Sequence, residues 1–117
     1  MPTITSPAAA WAVLVVAGLL EVVWAISLKA SDGFSKPWPS VVTIVAAAAS
    51  FWLLGLSLRA LPVGTAYAAW TGIGAVGAAL LGILIFKDPA NAMRLACIGL
   101  ILAGIVGLKL SSLASSD

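Results

Sequence analysis

The chain has 117 residues, of which 62% are hydrophobic and 9% are charged, and its net charge is +2 at pH 7. This apolar share is far above that of a soluble domain, and so small a net charge gives no argument for binding nucleic acid. The sequence has no histidine, one cysteine and no phosphate-binding GxxxxGK[ST] loop, so it excludes ATP hydrolysis and an intrachain disulfide and leaves any proton chemistry to carboxylates.

Four apolar runs follow one another along the chain and predict four transmembrane helices. Each run is close to the ~20 residues that cross a bilayer as an α-helix, and none shows the alternation of a barrel strand. The predicted helices cover about residues 8–28, 41–60, 65–86 and 94–110, after an N-terminal tail of residues 1–7. The connections are too short to fold separately. The sequence therefore predicts an all-α membrane protein with a single transmembrane domain, residues 1–117.

The connections carry the signals for helix ends and for membrane orientation. Pro37 and Pro39 are expected breakers before the second helix, which Ser40 would cap, and Thr65 is the expected cap of the third helix. Basic residues lie near helix ends, on the face of the first and third loops (Lys29, Lys36, Lys87, Arg94) and on the opposite face (Arg59, Lys109). This weak bias mildly favours both termini outside and is small enough to allow insertion in both orientations.

The first helix contains a carboxylate, Glu21, inside the otherwise apolar stretch AGLLEVVWA. A charge at the centre of a membrane helix costs about 2.5–3.5 kcal/mol. The other acidic residues, Asp32, Asp88 and Asp117, fall in loops or at the terminus. A structural hydrogen bond to another helix is one interpretation. We favour a binding role, because intramembrane carboxylates usually mark ion or substrate pathways.

Aromatic and hydroxyl side chains accompany Glu21 at membrane depth. Gly18 and Trp24 lie one turn before and after it on the same helix face. Tyr67 and Trp70 share a face of the third helix, and aromatic faces beside a carboxylate suit an organic cation. Ser50 has two open interpretations, a bond to its own helix backbone or one to the Glu21 carboxylate. Three further aromatics at helix ends are typical of interfacial belts: Trp11, Trp38 and Phe86.

The third and fourth helices are rich in small residues. The stretch GIGAVG matches a dinucleotide-binding pattern, but it lies inside an apolar span and follows no strand, so the pattern favours a helix bend and close packing at Gly72, Gly74 and Gly77. In the fourth helix a similar stripe suits an interface between subunits: Gly99, Ala103 and Gly107. One carboxylate on four thin helices encloses little, so the sequence favours a dimer with two such carboxylates in one cavity.

The segments AGLLEVVWA, GFSKPWPS, LPVGTAYAAWTGIGAVGAA and GIVGLK resemble the small multidrug resistance family across nearly the whole chain. Within that family they are most similar to the guanidinium exporter (Gdx) subtype. The resemblance implies an antiparallel, dual-topology homodimer in a prokaryotic inner membrane. It also implies exchange of protons for a guanidinium-class cation, with no enzymatic activity, cofactor, metal or nucleic acid involved.

The resemblance also implies roles for individual residues. Glu21 matches the carboxylate shared by protons and substrate, and Trp24 matches the tryptophan that distinguishes the subtype. Ser50 matches the hydroxyl that supports the glutamate. The remaining matches line the cavity or lie beside the site: Gly18, Tyr67 and Trp70. Lys109 in GLK resembles a subtype feature, although snorkelling to the membrane surface explains it equally well.

Two other functions compete with guanidinium export. A broad exporter of quaternary ammonium ions and substituted guanidines is the alternative within the family, and Trp24 and the GLK ending favour the narrower substrate range. The third hypothesis is a structural or assembly subunit of a membrane complex. The small size of the chain allows that role, but an intramembrane glutamate near aromatic faces is not required by it.

Overall fold

The computed structural model describes residues 6–115, and the side chains of residues 6–111. Four α-helices run along the chain: α1 (Pro7–Ala30), α2 (Pro37–Ser57), α3 (Val63–Ile85) and α4 (Ala92–Ser115). All four have a segment long and apolar enough to cross a membrane. The prediction of an all-α chain with four membrane-spanning helices is confirmed.

The helix ends differ from the predicted ones for reasons of capping chemistry. The Ser6 hydroxyl accepts a hydrogen bond from the Ala9 N–H at 3.1 Å, so α1 begins at Pro7 and not after a tail of seven residues. Residues 1–5 of that predicted tail lie outside the described residues. Pro37 does not break the chain before α2, because it occupies the first turn, where its missing N–H has no partner to lose.

Both predicted serine and threonine caps are wrong. Ser40 lies inside α2, and its hydroxyl donates to the Lys36 carbonyl at 2.6 Å. Thr65 lies inside α3, which Pro62 precedes as the N-cap. Accordingly α2 runs over 37–57 instead of 41–60, α3 over 63–85 instead of 65–86, and α4 over 92–115 instead of 94–110.

Packing is centred on α1, which lies against α2 and α3, while α4 packs against α3. Small residues of α1 and α3, among them Ala17 and Ala69, are fully buried and let the helices approach closely. Trp11 is buried in this core, with 4% of its surface exposed. Its predicted place in an interfacial belt is therefore wrong, whereas Trp38 is 79% exposed near the start of α2.

The first loop and the end of α3 meet at the face where α1 ends. Lys29 in the last turn of α1 lies 3.8 Å from the Asp88 carboxylate and 4.8 Å from the centre of the Phe86 ring. Asp32, Gly33 and Phe34 are consecutive left-handed residues, and the buried Ser31 hydroxyl accepts a hydrogen bond from the Phe34 N–H. The Lys29 contacts join the end of α1 to the end of α3, and the Ser31 hydrogen bond holds the turn of the first loop.

Candidate functional site

Glu21 lies on the face of α1 that packs against α3, directly opposite Gly74. A Cβ atom at Gly74 would overlap the Cγ, Cδ and Oε1 atoms of Glu21, so the carboxylate occupies the room left by the missing side chain. Oε1 is buried and has no hydrogen-bond partner among the described residues. No basic side chain lies on α2 or α3. Neither α2 nor α3 therefore supplies a positive charge to the carboxyl group, which can still accept a proton or bind a cation.

A buried hydrogen-bond chain joins three helices beside Glu21. The Trp70 indole N–H on α3 donates to the Ser50 hydroxyl on α2 at 2.9 Å, and that hydroxyl donates to the Ala17 carbonyl on α1 at 2.7 Å. Ala17 lies four residues, or about one helical turn, before Glu21. These two hydrogen bonds thus restrain the backbone of α1 next to the carboxylate.

Both interpretations of Ser50 from the sequence are wrong about its hydrogen bond. Its hydroxyl donates neither to its own helix nor to Glu21, but to a backbone carbonyl of the neighbouring helix. The close approach of α1 and α2 makes this carbonyl accessible, because a carbonyl oxygen that already accepts a bond within its helix keeps a second lone pair. A sequence does not show which carbonyl of a neighbouring helix comes within reach.

The aromatic side chains of α3 have different surroundings. Trp70 is 4% exposed, and its ring lies 5.2 Å from the Phe51 ring and 5.7 Å from the Tyr67 ring, centre to centre. Tyr67 itself is 57% exposed. Within one chain Trp70 is thus a packing residue and a hydrogen-bond donor, while more than half of the Tyr67 surface is exposed. Phe51 was not singled out by the sequence, since nothing distinguishes it from its neighbour Trp52.

Gly18 and Trp24 flank Glu21 on α1 as their spacing predicts. A Cβ atom at Gly18 would lie 2.6 Å from Cγ2 of Ile73, so α1 and α3 touch closely at this point. Trp24 is partly buried, and its indole N–H has no acceptor among the described residues. The carboxylate and this free donor therefore lie one turn apart on α1.

The predicted small-residue stripes face different surroundings. Gly72 packs against Ile105 of α4, and Gly77 packs against Val22 of α1. In α4, Gly99 and Gly107 have open space where a side chain would be. Ala103 is exposed on the same helix. The α3 glycines thus serve contacts inside the chain, whereas α4 presents an uncovered surface.

Comparison with known proteins identifies the chain's relatives. The family model described as Small Multidrug Resistance protein matches residues 9–101. The chain belongs to the small multidrug resistance family. Two relatives named guanidinium exporter are those of Yersinia pseudotuberculosis, 60% identical over 88% of this chain and 99% of that protein, and of Escherichia coli K12, 59% identical over 87% and 97%. A relative of the same name from Citrobacter freundii is also 59% identical.

These matches confirm the family resemblance found in the sequence. Relatives in the small multidrug resistance family are named as exporters and not as enzymes. Together with the four membrane-spanning helices, family membership identifies the chain as a multi-pass protein of the bacterial inner membrane and a transporter.

Proposed function

We propose that this chain exports guanidinium and small substituted guanidinium cations in exchange for protons. The observation that carries the proposal is the Glu21 carboxylate, which lies inside a membrane span, with Oε1 buried and without a hydrogen-bond partner in the part of the chain that the structure describes. Guanidinium is planar and donates pairs of N–H bonds that match the two oxygens of a carboxylate. Relatives at about 60% identity over most of the chain carry the name guanidinium exporter, which supports this choice of cation.

Competition at Glu21 is sufficient to couple the two movements. The carboxylate accepts either a proton or the N–H donors of the cation, so binding of one releases the other. An empty, charged site is costly to carry through the apolar part of the membrane. The protein therefore reorients readily only when the site is loaded, and each cation that leaves the cell is exchanged for protons that enter.

The functional unit that we propose is an antiparallel homodimer with dual topology. One chain supplies a single intramembrane carboxylate, and two chains would place two Glu21 side chains around one cavity. The outward surface of α4 supports an interface there, because Gly99 and Gly107 leave room for close helix contact and little of this helix is buried. The weak charge bias of the loops suits insertion in both orientations.

The neighbours of Glu21 have separate tasks in this proposal. The Trp70–Ser50–Ala17 chain holds the backbone of α1 one turn away from the carboxylate. Trp24 narrows the space beside the carboxylate and offers an aromatic face to the cation. Tyr67 remains exposed and adds a second aromatic surface.

An apolar crevice between α1 and α2 favours the inclusion of substituted guanidinium ions. It has a volume of about 340 Å³ and is lined by Leu20, Val41, Val42, Val45, Ala46 and Ala49. Leu20 precedes Glu21 directly in the sequence. We propose that a single alkyl chain on a guanidinium ion bound at Glu21 extends past Leu20 towards this crevice. A tetrahedral ammonium ion, in contrast, has no N–H to donate to Glu21 and needs more room.

The test is transport by the purified protein in liposomes. With an imposed proton gradient, we expect uptake of guanidinium and of a singly alkylated guanidinium, and at most weak uptake of tetrapropylammonium. Glu21→Gln is the matched control, because the amide keeps the shape of the side chain but cannot become charged. We expect it to insert and assemble but not to transport. Transport by Glu21→Gln would refute the mechanism, and equal transport of tetrapropylammonium would favour a broad cation exporter.

A further inference from the structure

The three glycines of the GIGAVG stretch in α3 face three different neighbours. Gly72 faces the flexible end of Ile105 on α4, and Gly77 faces the side chain of Val22 on α1. Gly74 alone of these three faces the Glu21 carboxylate, and a Cβ atom there would overlap that group. The same residue type thus makes two apolar helix contacts and one contact with the binding group.

We propose that Gly74 is a positioning residue that sets the orientation of the Glu21 carboxylate through the absence of a side chain. This inference rests on the proposed function of Glu21 as the cation and proton site. Oε1 lies in the space beside Gly74, and no group of the described residues forms a hydrogen bond that would hold it there. Titratable groups that face Glu21 from the packed helices are also few, since α2 has none and α3 has only Tyr67. The space that Gly74 leaves free therefore determines the orientation of the Glu21 carboxylate.

The orientation matters because a guanidinium ion binds a carboxylate edge to edge. Paired N–H bonds require both oxygens to face the cation in one plane. A side chain at Gly74 would either rotate the carboxylate or separate α1 from α3, and both changes tilt that plane. Loss of one of the two charge-assisted hydrogen bonds would weaken guanidinium binding about ten- to hundredfold.

A different role for the same glycines predicts a different pattern of variants. If they provide a helix bend or flexibility, then Gly72→Ala, Gly74→Ala and Gly77→Ala stiffen the same helix and have similar effects. If Gly74 positions the carboxylate, Gly74→Ala changes cation and proton binding more than either of the other two variants does. Alanine favours the helix at all three positions. At Gly72 the added methyl group meets only the flexible end of Ile105 on α4, so Gly72→Ala is the matched control for bulk and for helix propensity. At Gly77 it meets Val22, which follows Glu21 on α1, so Gly77→Ala reports the effect of pushing α1 away from α3 without touching the carboxylate.

The experiment compares the wild type with these three variants in liposomes and measures the apparent guanidinium affinity at two pH values. We expect Gly74→Ala to weaken guanidinium binding about ten- to hundredfold and to shift the pH at which protons displace the cation. Gly72→Ala should remain within a few-fold of the wild type, and Gly77→Ala should weaken binding less than Gly74→Ala, because its methyl group displaces Val22 and not the carboxylate. A loss in Gly72→Ala or Gly77→Ala as large as the loss in Gly74→Ala, or no loss in Gly74→Ala, would overturn the proposal.

A rescue variant separates positioning from a general packing defect. Aspartate is one methylene shorter than glutamate, so Glu21→Asp withdraws the carboxylate from the added Cβ atom. If the two substitutions acted independently, their fold-losses of guanidinium affinity would multiply. We expect the double variant Gly74→Ala/Glu21→Asp to lose less affinity than that product. It should also assemble even if Gly74→Ala alone does not. Independent effects, or failure of the double variant to assemble, would refute the inference. A wild type that does not transport guanidinium would instead refute the proposed function.

Discussion

Ser50 connects α1, α2 and α3, so its replacement by alanine should destabilise the whole bundle. The substitution removes the acceptor of the Trp70 indole N–H, and Trp70 is almost completely buried. A buried donor without an acceptor costs about 1–3 kcal/mol. The Ala17 carbonyl loses little, because it keeps its bond within the helix. We therefore expect Ser50→Ala to lower the free energy of unfolding by about 2 kcal/mol.

Ser57→Ala is the matched control for this prediction. Ser57 lies on the same helix and is equally buried, but its hydroxyl donates to the Leu54 carbonyl of its own helix at 2.7 Å. Its loss leaves no donor without an acceptor, so the cost should remain below about 1 kcal/mol. Circular dichroism of the purified protein during denaturation in mixed micelles measures both free energies.

A double-mutant cycle identifies the bond that is responsible. Trp70→Phe removes the indole N–H, so Ser50→Ala should cost less in that background than in the wild type. We expect a coupling energy of about 1–2 kcal/mol between the two positions. Equal destabilisation by Ser50→Ala and Ser57→Ala, or additive effects of Ser50→Ala and Trp70→Phe, would refute the assignment of the stabilisation to the hydrogen-bond chain.

Four further predictions concern the transport mechanism, the membrane orientation and the Lys29–Asp88 ion pair. Guanidinium affinity should fall as pH falls, because protons occupy Glu21, and pH-independent binding measured by titration calorimetry would contradict competition. Trp24→Gly should weaken guanidinium uptake about several-fold to thirtyfold through the loss of about 0.5–2 kcal/mol of cation–π contact, and an unchanged rate would exclude that contact. In a Cys97→Ser background, Ala90→Cys in the exposed third loop should react with impermeant thiol reagents from both sides of the membrane, whereas labelling from one side only would exclude dual topology. Lys29→Gln should lower the free energy of unfolding by at most about 1 kcal/mol, and by less at high salt, while the control Lys36→Gln should leave it unchanged. If the loss caused by Lys29→Gln does not depend on salt, the Lys29–Asp88 ion pair is not its cause.

The sequence predicts the helices well because their signal is local. A run of about 20 apolar residues is sufficient to identify a membrane span, and all four predicted spans are helices. The ends are less accurate because they depend on individual backbone bonds. The sequence pattern predicts that Pro37 lies before α2 as a helix breaker, but in the structure it lies in the first turn of that helix. Ser40 has the right chemistry for a cap but lies one turn too late in the chain.

The sequence predicts which residues belong to the candidate site, but not which residues of the neighbouring helices they contact. Glu21 is conspicuous because a charge is costly in an apolar run. The partner of Ser50, the burial of Trp11 and the neighbour of each glycine depend on how far one helix is shifted along another. The periodicity of a single helix contains no information about that shift. Trp11 illustrates the difference, since it lies near a helix end and yet packs in the core beneath α2 and α3.

The contacts around Glu21 explain why so small a bundle can control one charged group. α1 carries the carboxylate, but α2 and α3 restrain it, through the Ser50 bond to the Ala17 carbonyl and through the space at Gly74. A movement of α3 relative to α1 therefore changes the surroundings of the carboxylate directly, without a chain of intermediate residues. In the proposed antiporter, this makes the α1–α3 contact the place where the occupancy of Glu21 and the arrangement of the helices influence each other. Substitutions at Ser50 and Gly74 should consequently affect cation binding even though, in this proposal, neither residue touches the cation.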